Sequence, residues 1–173
     1  MSQKLKEKTV SAEAQAASLG SRSQATDGDL SKFDDRIRRA LSAAAEKKAL
    51  DTTVLDLRGI ASFTDFFVIT TGANRRQVQA ISDEVVEQLK RSGTRAARVE
   101  GYQTAEWILI DYGDFVVHVF DEKARRFYDL ERLWREGRRV DVSPEQIGSG
   151  ISNLKSEISD LTEREESRSP TDL

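Results

Sequence analysis

The segment from Glu106 to Phe120, EWILIDYGDFVVHVF, constrains the possible folds of this chain more than any other stretch. Two apolar runs, Trp107 to Ile110 and Phe115 to Phe120, are separated only by Asp111-Tyr112-Gly113-Asp114. Both runs are rich in β-branched and aromatic residues, and Gly and Asp readily adopt the positive φ angles of tight turns. Strands covered on both faces are apolar almost throughout, whereas half-exposed strands alternate. The segment therefore predicts a β-hairpin in the middle of a sheet.

Helices and strands alternate around this hairpin. Apolar residues recur at helical spacing from Phe33 to Ala45, with Asp29 or Ser31 as the candidate N-cap. Further elements follow from apolar periodicity and from turn residues such as Gly93: strands at Thr52–Leu57, Phe66–Thr71 and Thr94–Glu100, a helix from Asn74 to Arg91, and a helical turn at Asp121–Arg126. This order predicts an α/β domain with a mixed five-stranded sheet flanked by helices.

The composition changes at both ends of the chain. Residues 1–28 are rich in Ser, Ala, Gln and Lys without an apolar stripe, which predicts a disordered N-terminal tail. After Ser143-Pro144, apolar residues recur at heptad spacing, which predicts a C-terminal tail, residues 143–173, carrying a short and marginal helix: Ile147, Ile151, Leu154, Ile158 and Leu161. The folded domain is predicted to span residues 29–142.

The overall composition narrows the function classes. The chain has no cysteine and no apolar stretch approaching the roughly 20 residues of a membrane span. A net charge of −3 argues against broad electrostatic binding of nucleic acid, because phosphate binding depends on concentrated Lys and Arg. The basic segment Arg135 to Arg139 is interpreted as solvated charge at a helix end. We therefore expect a soluble cytoplasmic protein with no membrane and no sequence-specific nucleic-acid partner.

His118 is the only histidine in the chain, and it lies in the second arm of the hairpin. Catalysis by a single histidine needs a nucleophile and an orienting carboxylate, or further metal ligands. Asp111 and Asp114 are the carboxylates near it, and one histidine with scattered aspartates is a weak metal site. The sequence thus favours a hydrogen-bonded structural or interface histidine over chemistry.

The stretch Thr70-Thr71-Gly72-Ala73-Asn74-Arg75-Arg76 lies at the end of a strand and the start of a helix, and phosphate often binds at a helix N-terminus. This turn is neither a P-loop nor a dinucleotide fingerprint, because it has one glycine and no Lys-Ser or Lys-Thr after it. A metal-dependent nucleotidyltransferase would need paired carboxylates nearby, for which Glu100 and Asp111 are the weak candidates. We therefore predict no catalytic residue, no metal site and no cofactor.

Aromatic residues beside carboxylates form the remaining candidate site. Trp134 closes a short apolar cluster among charged residues, so part of its ring is expected at the surface. Such aromatics with acidic neighbours resemble an interface hot spot for a basic partner. The predicted partner-binding residues are Trp107, Tyr128, Asp129, Leu130, Glu131 and Trp134, and the acidic side chains of Asp111, Asp114, Asp129 and Glu131 are expected to favour that partner.

Several ordered motifs between Phe33 and Trp134 resemble the ribosomal silencing factor family, also called Iojap-related. The motifs are Thr64–Ile69 (TDFFVI), Val99–Gly101 (VEG), Glu106–Trp107 (EW), Leu109–Gly113 (LIDYG), Val117–Phe120 (VHVF) and Tyr128–Trp134 (YDLERLW). Where family members commonly carry a small hydroxyl residue, this chain has Ala73, which makes nucleotide chemistry less expected still.

The resemblance implies a fold similar to nucleotidyltransferases and a function without catalysis. It implies that the chain binds the large ribosomal subunit through ribosomal protein uL14, sterically blocks joining of the small subunit, and represses translation when nutrients are limiting. Related organellar members assist large-subunit assembly, which is the alternative function. A surface meant for the ribosome can also self-associate, so a homodimer of the free protein is a further expectation.

Overall fold

The structure, a computed structural model, describes residues 29–148. Within that range six strands form one mixed sheet in the order β3-β4-β5-β2-β1-β6. Numbered along the chain, they are β1 (Leu50–Asp56), β2 (Phe66–Gly72), β3 (Arg98–Glu100), β4 (Trp107–Asp111), β5 (Phe115–Asp121) and β6 (Arg138–Asp141). The central neighbours β2 and β5 are parallel, and the other neighbouring pairs are antiparallel.

Four α-helices accompany the sheet in the described range. They are α1 (Asp35–Glu46), α2 (Arg75–Arg91), α3 (Glu122–Tyr128) and α4 (Leu130–Leu133). A 3-10 turn at Leu30–Lys32 precedes α1, and residues 144–148 are helical at the end of the described range. Asn74 caps α2 by accepting a hydrogen bond from the Gln77 backbone N–H at 3.0 Å, and Gly93 follows that helix with φ +86°.

The predicted hairpin is confirmed. Trp107 of β4 pairs with Phe120 of β5, and the backbone N–H of Tyr112 donates to the carbonyl oxygen of Phe115 at 3.0 Å. Gly113, in the turn, has φ +88°, a conformation that costs a residue with a Cβ atom about 1 kcal/mol or more. The second arm, β5, is buried almost throughout, as its near-continuous apolar character predicted.

Two details of the predicted fold are wrong. The sheet has six strands instead of five, because residues 138–141 form β6 along β1 and do not belong to a helix end. Val140 is 3% exposed there and pairs with Val54, so a single apolar side chain secures a strand that is otherwise charged. The N-cap of α1 is Asp34, whose carboxylate accepts from the Arg36 backbone N–H, whereas Asp29 caps the preceding 3-10 turn.

Alternation of side chains gives the sheet two unequal faces. One face packs against α1 and α2 and forms the larger core, which includes Ile37, Leu41, Val68, Ile81, Val85, Val117 and Ile147. The opposite face packs against the short helices α3 and α4 and forms a smaller core with Leu55, Phe67, Ile69, Phe120 and Leu130. Two short helices cover less of a sheet than two long ones, so this second face retains exposed apolar side chains.

The two predicted tails lie largely outside the described residues. Residues 1–28, and the heptad positions from Ile151 onward, are not described, so the predicted domain boundaries stay predictions. Ile147, the first heptad position, is 5% exposed and packs in the larger core. Between residues 29 and 148, no helix combines the length and the apolar character needed to cross a membrane.

Candidate functional site

Aromatic rings form a continuous surface on the sheet face that α3 and α4 cover only in part. This aromatic surface consists of Phe63, Phe67, Trp107, His118, Phe120, Phe127, Tyr128 and Trp134. On one side, Trp134 contacts Phe63 and Phe67 with ring centroids 5.7 and 5.8 Å apart. On the other, Tyr128 lies 4.6 Å from Trp107 and 5.0 Å from Phe127. His118 connects the two sides, because its ring is 4.5 Å from Phe67 and 5.8 Å from Trp107.

Exposure rises from the centre of this surface to its margin. Phe67 and His118 are buried, whereas Phe63, Tyr128 and Phe127 are 60%, 48% and 78% exposed. Leu133, on α4, is 70% exposed and lines an open groove of about 730 Å³. The other lining residues are the apolar or aromatic Ile60, Phe127, Tyr128 and Trp134 and the charged Arg126, Asp129, Arg132, Arg135 and Glu136. Clustered exposed apolar side chains of this kind mark interaction surfaces in otherwise polar proteins.

The structure brings the predicted partner-binding residues to one place but exposes only part of them. Tyr128 is exposed, and Trp107, Asp129 and Trp134 are half-buried. Asp129 has φ +43° and joins α3 to α4, and its carbonyl oxygen accepts from the backbone N–H groups of Arg132 and Leu133. Leu130 is 7% exposed and belongs to the smaller core. Tyr128 and the half-buried members of the set can therefore touch a partner directly, whereas Leu130 cannot.

Glu131 is occupied inside the molecule. Its carboxylate accepts from Nε of Arg125 at 3.0 Å, and the two side chains are 13% and 12% exposed. The same guanidinium donates to the Thr71 hydroxyl at 2.9 Å and to the carbonyl oxygen of Asp51. Glu131 therefore ties α4 to the sheet through α3 and is not a free carboxylate for a partner.

The expected acidic character of the site is largely neutralised within the chain. Asp111 lies 3.4 Å from the Arg98 guanidinium, and Asp114 forms an ion pair with Arg36. Together with Glu131, three of the four carboxylates assigned to a basic partner have partners of their own. Across residues 29–148, Asp129 is the member of that set without an ion pair. This set therefore offers little free negative charge to a basic partner, and the exposed Arg126, Arg132 and Arg135 line the groove beside the aromatic rings.

His118 is a structural histidine in the interior of the aromatic surface, as the sequence favoured. It is 3% exposed, and its Nδ1 accepts a hydrogen bond from the indole Nε1–H of Trp107 at 3.1 Å. Burial lowers the pKa of the imidazole to about 3, because the charged form is poorly solvated there. The ring is therefore neutral at physiological pH and can act as the acceptor.

The candidate phosphate-binding turn is filled by the chain itself. The backbone N–H of Ala73 donates to the side-chain oxygen of Gln77 at 2.7 Å, and the Asn74 side chain caps the first turn of α2. A Cβ atom on Gly72 would lie 2.8 Å from Val78, so this glycine allows the close approach of α2 to β2. The need for glycine here is explained by packing and not by a ligand.

The carboxylates that the nucleotidyltransferase alternative requires are also engaged. Glu100 and Asp111 lie 3.3 and 3.4 Å from the guanidinium of Arg98, so a cation of the chain already stands between them. In the described part of the chain no group of three or more His, Cys, Asp or Glu residues could hold a metal ion. The two ion pairs with Arg98 therefore favour a structural role for Glu100 and Asp111 near the β3 edge of the sheet.

Sequence reasoning missed four exposed residues of the site: Ile60, Phe63, Phe127 and Leu133. Ile60 and Phe63 lie in the connection between β1 and β2, and large apolar residues in a surface loop are a signal of an interaction site. Phe127 and Leu133 are adjacent in sequence to predicted contact residues. Which sides of α3 and α4 face outward could not be read from helices of seven and four residues.

Comparison with known proteins gives one family over most of the chain. The model of the family described as "Ribosomal silencing factor during starvation" matches residues 31–171. The ribosomal silencing factor of Halalkalibacterium halodurans is 41% identical over 106 residues, which cover 61% of this chain and 91% of that protein. The mouse protein named for mitochondrial assembly of the ribosomal large subunit is 30% identical over 139 residues, covering 76% of this chain and 60% of that protein.

Solved structures agree with this result. A crystal structure of a protein from Chromobacterium violaceum is 35% identical, with a TM-score of 0.56, and the match covers 57% of this chain and 82% of that one. The matched family model extends across the sheet, the aromatic surface and the helices described above. The chain belongs to the ribosomal silencing factor family.

Proposed function

We propose that this protein binds the large ribosomal subunit through its aromatic surface, docks on ribosomal protein uL14, and sterically blocks association with the small subunit. Translation is thereby repressed under nutrient limitation. The protein acts by occupying a surface and not by catalysis, and its place of action is the cytoplasm. The observation that carries this proposal is the exposed aromatic surface in a chain that belongs to a ribosome-silencing family.

The physical demands of such a mechanism are modest. A specific protein interface typically buries about 1,600 Å² in total and draws most of its affinity from a few aromatic and apolar anchors. Phe127, Tyr128 and Leu133 supply exposed anchors, and the half-buried rings of Trp107 and Trp134 add contact area beside them. A protein of 19.4 kDa seated in this way excludes a second large body from the same place.

The six predicted contact residues divide into two roles. Trp107, Tyr128, Asp129 and Trp134 are assigned to direct contact with the partner. Leu130 and Glu131 hold α4 in position, Leu130 through the smaller core and Glu131 through Arg125. The same exposed surface accounts for the proposed homodimer of the free protein, since apolar surfaces that lack their partner tend to self-associate.

A role in large-subunit assembly is the alternative function. The specific observation in its favour is the similarity to the mouse protein whose name gives that role. Both functions use the same subunit and predict the same docking surface. They differ in what loss of the protein does, because silencing predicts more joined ribosomes in a starved deletion strain, whereas assembly predicts immature large subunits. Sucrose-gradient profiles of that strain distinguish the two.

The docking surface itself is tested by replacing two exposed residues, Phe127→Ser with Tyr128→Ser. Loss of two aromatic anchors is expected to weaken binding to purified large subunits by tenfold or more, about 1.4 kcal/mol at least. Val99→Ser is the matched control, because Val99 is 42% exposed on the edge strand β3, away from this surface. Binding is measured by co-sedimentation, and block of subunit joining by light scattering.

Equal binding of the double variant and the Val99→Ser control, with circular dichroism unchanged, would contradict the assignment of this surface. Crosslinking of this surface to a large-subunit protein other than uL14 would support the assigned surface but contradict uL14 as the partner.

A further inference from the structure

The indole of Trp107 is held from two directions by its neighbours in the hairpin. Phe120 lies directly opposite in the register and stacks on the indole, with centroids 5.0 Å apart and an interplanar angle of 27°. His118 is the diagonal neighbour on the same face, and its Nδ1 accepts the indole N–H at 3.1 Å. Stacking fixes the height of the ring above the sheet, and the hydrogen bond fixes its rotation.

An imidazole at this position carries a cost that an apolar residue would avoid. Because Nδ1 is the acceptor, the neutral ring carries its proton on Nε2. That buried Nε2 has no hydrogen-bond partner among the described residues. A buried donor left unpaired costs about 1–3 kcal/mol, and a phenylalanine between Phe67 and Phe120 would fill similar space without it. The compensating gain is the bond to Trp107, so the acceptor is the property that distinguishes histidine here.

The hydrogen bond also decides what Trp107 presents to a partner. With its only polar group directed inward to His118, the half-buried indole offers ring carbon at the surface. Tyr128, which is 48% exposed, rests on that indole at 4.6 Å. A buried imidazole, a half-buried indole and an exposed phenol therefore form a connected series from the interior to the docking surface.

We infer that His118 is a positioning residue for docking: its imidazole orients Trp107, and through it Tyr128, so that the partner inserts an aliphatic or aromatic side chain against ring carbon and makes no hydrogen bond to the indole. This inference rests on the proposed function and names the chemistry of the contact at its centre. Fixing the two rings before binding raises affinity because less side-chain freedom is lost on association.

Two substitutions separate the acceptor from the volume of the ring. His118→Phe keeps an aromatic ring but removes the acceptor, whereas His118→Asn can place its side-chain oxygen near the position of Nδ1. The chain has two tryptophans, so an amide-correlated NMR spectrum contains two indole N–H signals, and Trp107→Phe assigns them. In the wild-type protein the Trp107 indole N–H should exchange with solvent more slowly than in His118→Phe, and His118→Asn should restore the protection.

Binding to purified large subunits gives the functional readout. His118→Phe is expected to weaken binding about tenfold, and His118→Asn to recover most of that loss, as expected for an orienting contact worth roughly one hydrogen bond. In a Trp107→Phe background, His118→Phe should cause no further loss, because the donor is already gone. Should His118→Phe not fold, Trp107→Phe removes the donor and His118→Asn changes the acceptor, so binding by these two variants still tests the hydrogen bond.

The outcomes distinguish this inference from the proposed function. Lost protection of the indole with undiminished binding by His118→Phe would overturn the positioning role, as would an additive loss in the double variant. Unchanged protection in His118→Phe would show that the hydrogen bond does not orient Trp107. Absence of binding by the wild-type protein, with its indole protected, would instead refute the proposed function.

Discussion

Gly101 directly follows β3, and its backbone passes close to the backbone of Trp107 at the start of β4. Its φ is +79°, and a Cβ atom built on it would lie 2.0 Å from the carbonyl oxygen of Trp107. Real Cβ atoms do not approach a backbone oxygen so closely, and backbone cannot move aside as a flexible side chain can. Ala105, in the same connection, is buried and also has a positive φ, +51°. At the scale of single residues, we expect the orientation of Trp107 to depend on the close backbone contact at Gly101 as well as on the hydrogen bond to His118.

Gly101→Ala should therefore lower the free energy of unfolding more than Gly113→Ala does. Gly113 has a similar φ of +88° but open space where a Cβ would be, so its substitution isolates the conformational cost, about 1 kcal/mol. The clash at Gly101 should add roughly 1–3 kcal/mol to that value. Urea unfolding of both variants measures the difference, and equal costs would show that the Gly101 passage relaxes freely.

At the scale of elements, one guanidinium links the short helices α3 and α4 to the sheet, in addition to the apolar contacts of Ala124 and Leu130. Arg125 on α3 contacts Glu131 on α4, Thr71 on β2 and the backbone of Asp51 on β1. Helices of seven and four residues are too short to be stable alone, so tertiary contacts must hold them. Since these helices carry Phe127, Tyr128 and Leu133, this ion pair supports the proposed docking surface.

Glu131→Gln tests that attachment. Removing the charge leaves the Arg125 guanidinium, 12% exposed, without its counter-ion, and should lower the free energy of unfolding by about 2–4 kcal/mol. Glu122→Gln is the control, because its ion pair with Arg126 is 61% and 78% exposed and should contribute about 0.5 kcal/mol or less. Thermal and urea unfolding provide the measurement. Similar small effects for both substitutions would mean that packing alone holds α3 and α4.

At the scale of the whole molecule, the sheet is asymmetric in a way that suits binding. The larger core runs from Phe33 to Ile147 and closes the face beneath α1 and α2. The other face has a smaller core and ends in exposed rings. The face proposed for docking nevertheless contributes to stability, because Phe67, His118 and Phe120 of the aromatic surface are buried there.

The burial of His118 predicts a pH dependence of global stability. The folded imidazole titrates with a pKa lowered to about 3, whereas in the unfolded chain it titrates near 6.5. Between these values the unfolded state binds more protons, so the free energy of unfolding falls as pH decreases from about 6.5 towards 3, by at most roughly 1.4 kcal/mol per pH unit. Above about pH 7 this contribution is constant.

Comparison of the wild-type protein with His118→Phe isolates this contribution. The carboxylates whose pKa values are lowered in the fold, such as Asp34 and Asp56, are present in both proteins and affect both alike. The stability of the wild-type protein relative to His118→Phe should therefore decline only as pH falls below about 6.5. A difference that stays constant from pH 7 to pH 4 would contradict a buried, neutral imidazole.

Local sequence patterns were sufficient to predict those helices and strands whose own residues show a clear apolar periodicity or turn motif. The hairpin arms follow from two apolar runs around a Gly-Asp turn, and α2 follows from its apolar spacing between Asn74 and Gly93. The family motifs, too, are short stretches of sequence that can be recognised without knowing which strands pair with them. Strand β6 has no such signal, because one valine among charged residues becomes a strand only by pairing with β1.

The sequence by itself determined the α/β class, the hairpin and the family resemblance, and it predicted a set of partner-binding residues that lie close together in the fold. Only the tertiary structure decided which of those residues reach the surface, that Glu131 turns inward to Arg125, and that His118 holds Trp107. The physical reason is that periodicity and turn chemistry act over a few residues. Exposure and pairing depend instead on which distant segments cover a given face, and here two short helices leave the rings of one face uncovered.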